Sequence, residues 1–122
     1  MIIWINGPFG VGKTQTAYEL MYRIPNSIVV DPEEVGFFLQ TQMLPESRLP
    51  DFQDYPLLRK WVSEVLHEAQ NQRKRVVIVP MTVVSNDYFR QIINPLDDAG
   101  IVVHDFTLIA RKETIEIRLK KR

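Results

Sequence analysis

The chain has 122 residues, 15 Lys and Arg against 15 Asp and Glu, and no cysteine. That length fits one domain, able to bury about two thirds of its unfolded surface. Zero net charge argues against a broad nucleic-acid or membrane surface, and the lack of cysteine excludes disulfides, thiol redox chemistry and thiolate metal sites. No basic segment with a long apolar run opens the chain, so neither a signal peptide nor a membrane span is expected, and the expected compartment is the cytoplasm.

Ile2-Ile3-Trp4-Ile5 is short and apolar, the pattern of a buried strand. Gly7-Pro8-Phe9-Gly10-Val11-Gly12-Lys13-Thr14 follows it and fits G-x-x-x-x-G-K-[ST], the phosphate-binding P-loop. Glycines let successive backbone N–H groups face one anion, and the start of the following helix adds to that field. Lys13 is expected to reach the β- and γ-phosphates of ATP, and the Thr14 hydroxyl to hold Mg²⁺. Residues Gly7 to Gln15 are therefore the expected nucleotide contacts.

A first helix is expected from Gly12 to Ile24, stopped by Pro25-Asn26. Ser27 to Val30 reads as a second strand. Asp31-Pro32-Glu33-Glu34 then reads as a helix start: Asp31 caps, Pro32 fits the first turn, and the acids suit the dipole. That helix runs to about Gln42 and contains Gly36, which costs about 1 kcal/mol against alanine unless a close neighbour needs it. Leu44 to Tyr55 reads as a loop packed by its aromatic residues. Pro56 opens a third helix to about Asn71, with Leu58, Val62, Val65, Leu66 and Ala69 at helical spacing and Trp61 beside them.

Val76 to Pro80 is a continuous apolar run, a strand buried on both faces. Ser85 caps a fourth helix, expected from Asn86 to Ala99, with Gly100 ending it. Ile101 to Ala110 is expected as a fourth strand, and a helix from Lys112 on. This alternation of strands and helices implies an α/β fold, a parallel sheet with helices on both faces. Ligands in such folds bind at the carboxyl ends of the strands. The P-loop, Asp31 and Pro80-Met81-Thr82 are thereby expected on one edge.

Beyond the P-loop, Asp31 is a candidate base for an accepting hydroxyl, or a water-mediated Mg²⁺ ligand, against the plainer role of helix cap. Glu33 is a weaker acceptor candidate. Thr82, a candidate contact for a phosphate or the acceptor, stands where a P-loop protein usually carries a metal-binding acid at the end of the third strand. That acid is absent here, so Mg²⁺ is left with Thr14, water and Asp31. His67 and His104 are read as structural rather than as metal ligands.

Taken together, these segments resemble the tunicamycin resistance proteins, a branch of small P-loop kinase-like proteins. The resemblance rests on residues 1–7, Phe9-Gly10, Gly12 to Thr16, Asp31-Pro32-Glu33 and Gly36-Phe37. It continues through Asp51-Phe52-Gln53, Tyr55-Pro56, Val79 to Thr82, Phe106-Thr107-Leu108 and Glu113-Thr114. It implies a three-layer α/β/α P-loop NTPase fold of kinase type with the order 2-3-1-4 in the strands present. It also implies ATP and Mg²⁺ as cofactors and action on a nucleoside-antibiotic-like acceptor. Arg59, one turn into the third helix, is similar to the acceptor-binding arginine of monophosphate kinases. Arg118 and Arg122 in the basic tail are similar to the start of a phosphoryl-transfer lid, where arginine stabilises transition-state charge.

Relatives continue past residue 122 with a lid, a fifth strand and a last helix. The domain is accordingly expected to be C-terminally incomplete, with its fourth strand an exposed edge unless another copy completes it. Some relatives carry a C-terminal amphipathic membrane contact, which none of these residues provides. Three functions remain open on the sequence: a small-molecule kinase, a nucleotide-dependent binding protein that sequesters its ligand, and a fragment that keeps the motif without the activity.

Overall fold

Alternating apolar strands and amphipathic helices assemble as the pattern predicts. The computed structural model describes residues 1–8, 10–72 and 75–109. Among these, β1 (Ile2–Asn6), β2 (Ser27–Val29), β3 (Val76–Pro80) and β4 (Val103–Thr107) form one parallel sheet in the order β2-β3-β1-β4. The helices are α1 (Lys13–Arg23), α2 (Pro32–Thr41), α3 (Pro56–Asn71) and α4 (Asn86–Asp98). Two short 3₁₀ turns, Pro45–Ser47 and Phe52–Asp54, organise the stretch expected as a loop.

The two-residue period of the strands divides the core between two layers. Ile2, Trp4, Val77 and Val79 face Leu58, Val62 and Leu66 of α3 and Ile92 and Leu96 of α4. Ile5 and Ile78 face Ala17 of α1 on the other side. Val77, Ile78 and Val79 are all fully buried, as an uninterrupted apolar strand requires. Each such side chain contributes about 1.5–3 kcal/mol relative to exposure. Trp4 is the largest, and its one polar atom is satisfied: Nε1 donates to the Met81 carbonyl at 3.0 Å. Its ring meets Phe89 edge-on at 5.2 Å.

The buried face of α3 is turned from the expected one. Leu58, Arg59, Val62, Ser63 and Leu66 are inside, whereas Val65 faces outward. The cause is α4: the Ser63 hydroxyl donates to the Ile92 carbonyl at 2.8 Å, and Arg59 Nε to Gln91 Oε1 at 2.6 Å. Two polar residues are drawn inward because α4 carries acceptors for both.

Strand β4 begins later than the sequence suggests. Ile101 N–H donates to the Leu96 carbonyl at 3.0 Å and Gly100 N–H to that of Asp97 at 2.9 Å. This is a Schellman closure of α4, and it takes Ile101 into the core with Leu96. Helix α2 starts as predicted: the Asp31 carboxylate accepts from Glu33 N–H at 3.0 Å, with Pro32 in the first turn. Gly36 has a packing reason. A β-carbon there would lie 2.8 Å from Cε2 of Phe52, so the Phe52 ring occupies the space that any side chain would need.

Candidate functional site

The loop after β1 is shaped by its glycines. Gly10 and Gly12 have φ of 82° and 95°, and Gly12 is the residue before α1. No side chain caps that helix, in contrast to Asp31 on α2 and Ser85 on α4. The first-turn N–H groups of α1 therefore face the loop, as an anion site needs. Gly7 is fixed by crowding as well as by its φ of 140°: a β-carbon would come within 2.7 Å of the Leu108 carbonyl. Lys13 is 8% exposed, and its Nζ donates to the Pro8 carbonyl at 3.1 Å. The ammonium thus lies back over the loop. Thr14 and Gln15 are exposed in the first turn of α1. Phe9 lies outside the described residues.

The loop is braced from the opposite side by Thr82 and by two residues given no site role from the sequence, Asn6 and Gln53. Asn6 Oδ1 accepts from Gly7 N–H at 2.8 Å and from Val83 N–H at 3.1 Å, while its Nδ2 donates to the Val83 carbonyl at 2.9 Å. The Thr82 hydroxyl donates to the Gly7 carbonyl at 2.7 Å. Gln53 Nε2 in turn donates to the Thr82 carbonyl at 2.6 Å. One line of hydrogen bonds therefore joins the Phe52–Asp54 turn, the segment after β3 and the first residue of the P-loop. Thr82, singled out for its position beyond β3, belongs to this line.

Arg59 extends the line behind the turn. It is 8% exposed, and its Nη1 donates to the Gln53 carbonyl at 2.6 Å. Its guanidinium also lies 4.2 Å from the centroid of the Tyr88 ring. The Tyr88 hydroxyl donates to Asp54 Oδ1 at 2.8 Å, and that bond is the main reason its pKa is raised, which keeps the phenol a donor. A cleft of about 210 Å³ opens here, lined by Asp51, Gln53, Asp54, Thr82, Val84, Ser85 and Tyr88.

Asp31 follows β2 at the same sheet edge, two strands from β1, or about 10 Å at the usual strand spacing. One of its oxygens is used in the cap. Glu33 sits in the first turn of α2. Beyond β3 the buried Met81 and then Thr82 stand where an acid would be. No group of three or more His, Cys, Asp or Glu able to hold a metal occurs among the described residues. Arg118 and Arg122 lie outside them. No helix of the described residues is long and apolar enough to cross a membrane.

A parallel sheet of this order, with a glycine loop, a buried lysine and an uncapped helix after its first central strand, defines a P-loop, kinase-like nucleotide-binding domain. A family model described as an AAA domain matches residues 2–122. The tunicamycin resistance protein of Deinococcus radiodurans superposes with a TM-score of 0.80 at 39% identity, over 98% of this chain and 68% of that one. The chain belongs to the tunicamycin resistance protein family. Two more distant structures share the fold. A Janibacter sugar kinase gives a TM-score of 0.64 at 18% identity, over 99% of this chain and 66% of its own. The APS kinase of Mycobacterium tuberculosis gives 0.61 at 17%, over 88% and 73%. No curated protein matches the chain.

Proposed function

We propose that the chain binds Mg-ATP on the 7–14 loop and transfers the γ-phosphoryl group to a hydroxyl of a small, nucleoside-antibiotic-like acceptor. The observation that supports this most is the uncapped start of α1 with Lys13 folded over it. In this reading Lys13 leaves the Pro8 carbonyl for the phosphate oxygens, which are stronger acceptors. The Thr14 hydroxyl would hold Mg²⁺, with Asp31 reaching it through water, and the ion would supply charge neutralisation. Asp31 takes the proton of the attacking hydroxyl. The acceptor oxygen bonds to the γ-phosphorus, the bond to the β–γ bridging oxygen breaks, and ADP leaves with that electron pair. Glu33 and Thr82 border the acceptor, and Arg118 adds positive charge to the transferred group. Arg59 supports the acceptor side from behind, through Gln53 and Tyr88.

A second reading is favoured by the end of β3, where a buried methionine replaces an acid. In it the protein binds nucleotide and sequesters the antibiotic with little turnover. Incubation with γ-labelled ATP and tunicamycin separates the two. Label in the antibiotic, lost in Asp31→Asn while ATP affinity is kept, supports the kinase. Binding of both ligands without transfer supports sequestration.

A further inference from the structure

The cleft beside the P-loop has a chemical bias that bears on the acceptor. Its floor, Thr82, is hydrogen-bonded to Gly7, so a molecule seated there lies next to the phosphate loop. Asp51 and Asp54 put two carboxylates on its wall, beside the Tyr88 and Ser85 hydroxyls. No cation lines it. The Arg59 guanidinium donates to the Gln53 carbonyl and to Gln91 and packs on Tyr88, behind the wall. At about 210 Å³ the cleft is smaller than the ~300–1,000 Å³ usual for drug-sized ligands, and suits one ring rather than a large molecule.

From this geometry we infer that the cleft seats a ring of the acceptor that is rich in hydroxyls and bears no negative charge, and that phosphomonoesters are rejected. The inference rests on the kinase reading for its role, but its chemistry is independent of turnover. Carboxylate and amide oxygens accept from sugar hydroxyls, and the hydroxyl side chains serve as donors or acceptors. A phosphate or carboxylate in the same place meets two acids with no cation among the described lining residues to offset them. Selectivity here comes from repulsion as much as from attraction.

The test uses matched pairs: adenosine against AMP, and glucose against glucose 6-phosphate. Each is titrated by calorimetry into the full chain with Mg²⁺ and a non-hydrolysable ATP analogue. The expected result is that a neutral member binds at least tenfold more tightly than its phosphomonoester. Asp51→Asn keeps the oxygen that caps the 52–54 turn and should lower that preference at least threefold. Tyr88→Phe, which removes only a hydroxyl, should weaken the neutral member. A phosphomonoester that binds as tightly as its neutral partner overturns the inference. So does a preference unchanged in Asp51→Asn, or no binding by any of the four while the ATP analogue binds. Neutral binding with the expected preference but no label transfer from ATP would instead remove the kinase reading and leave the cleft assignment standing.

Discussion

Replacing Thr82 by valine isolates the brace between β3 and the P-loop. Valine keeps the shape and deletes the hydroxyl that donates to the Gly7 carbonyl at 2.7 Å. Gly7 is buried, so its carbonyl loses a donor that solvent replaces poorly. An orphaned acceptor costs about 1–3 kcal/mol, and Thr82 is half-buried, which places the loss near ~1 kcal/mol. For a chain of this size that is a fall in Tm of roughly 3–5 °C. Gly7 begins the loop, so the same change should lower Mg-ATP affinity, by up to about fivefold if all of that energy bears on loop geometry. Thermal unfolding by circular dichroism reads the first effect and calorimetry the second. Thr82→Ser restores the hydroxyl and should recover both. A valine variant with wild-type Tm and wild-type ATP affinity would refute the brace. A drop in acceptor turnover alone would also refute it, leaving Thr82 only as a border of the acceptor site.

Other expectations follow from single contacts. Trp4→Phe removes the donor to the buried Met81 carbonyl and leaves a void beside Phe89; unfolding by denaturant should show a loss of about 2–4 kcal/mol. Arg59→Met should lower stability, since the Gln53 carbonyl and Gln91 lose their donors, while calorimetry finds Mg-ATP affinity within twofold of wild type. Asp105 has its carboxyl pKa raised by burial, so ionisation is disfavoured in the folded chain. The sign follows: stability from this group is fully present below the ordinary carboxylate pKa and is lost as pH rises from there through the raised folded pKa. Asp105→Asn should therefore flatten the fall in Tm as pH rises above the ordinary carboxylate pKa, an effect kept small by the exposure of the site.

Local signals were the legible ones. The P-loop spacing, the uninterrupted apolar run of β3 and the caps Asp31 and Ser85 each depend on a few neighbouring residues, and each lies where the sequence places it. The order β2-β3-β1-β4 was implied by the family resemblance. Long-range contacts were not legible. Asn6 and Val83 meet across 77 positions, and nothing near Asn6 announces a partner. Arg59 and Ser63 look like surface residues until α4 supplies Gln91 and Ile92. Val65 fits the apolar period of α3 but faces solvent, because the contact with α4 turns the helix. One missed feature had a signal. Asp51 and Asp54 stand three apart, the spacing of a capping box, and together they close the 52–54 turn. That turn, within the stretch expected as a loop, forms the wall of the cleft.

Whether the 7–14 loop holds a nucleotide is decided by one titration. Mg-ATP is titrated by calorimetry into the chain and into Lys13→Ala, with circular dichroism confirming that both are folded. The expected result is one saturable site in the parent and affinity at least tenfold weaker in the variant. A folded parent that takes up no Mg-ATP, or a variant that binds it equally well, would contradict it.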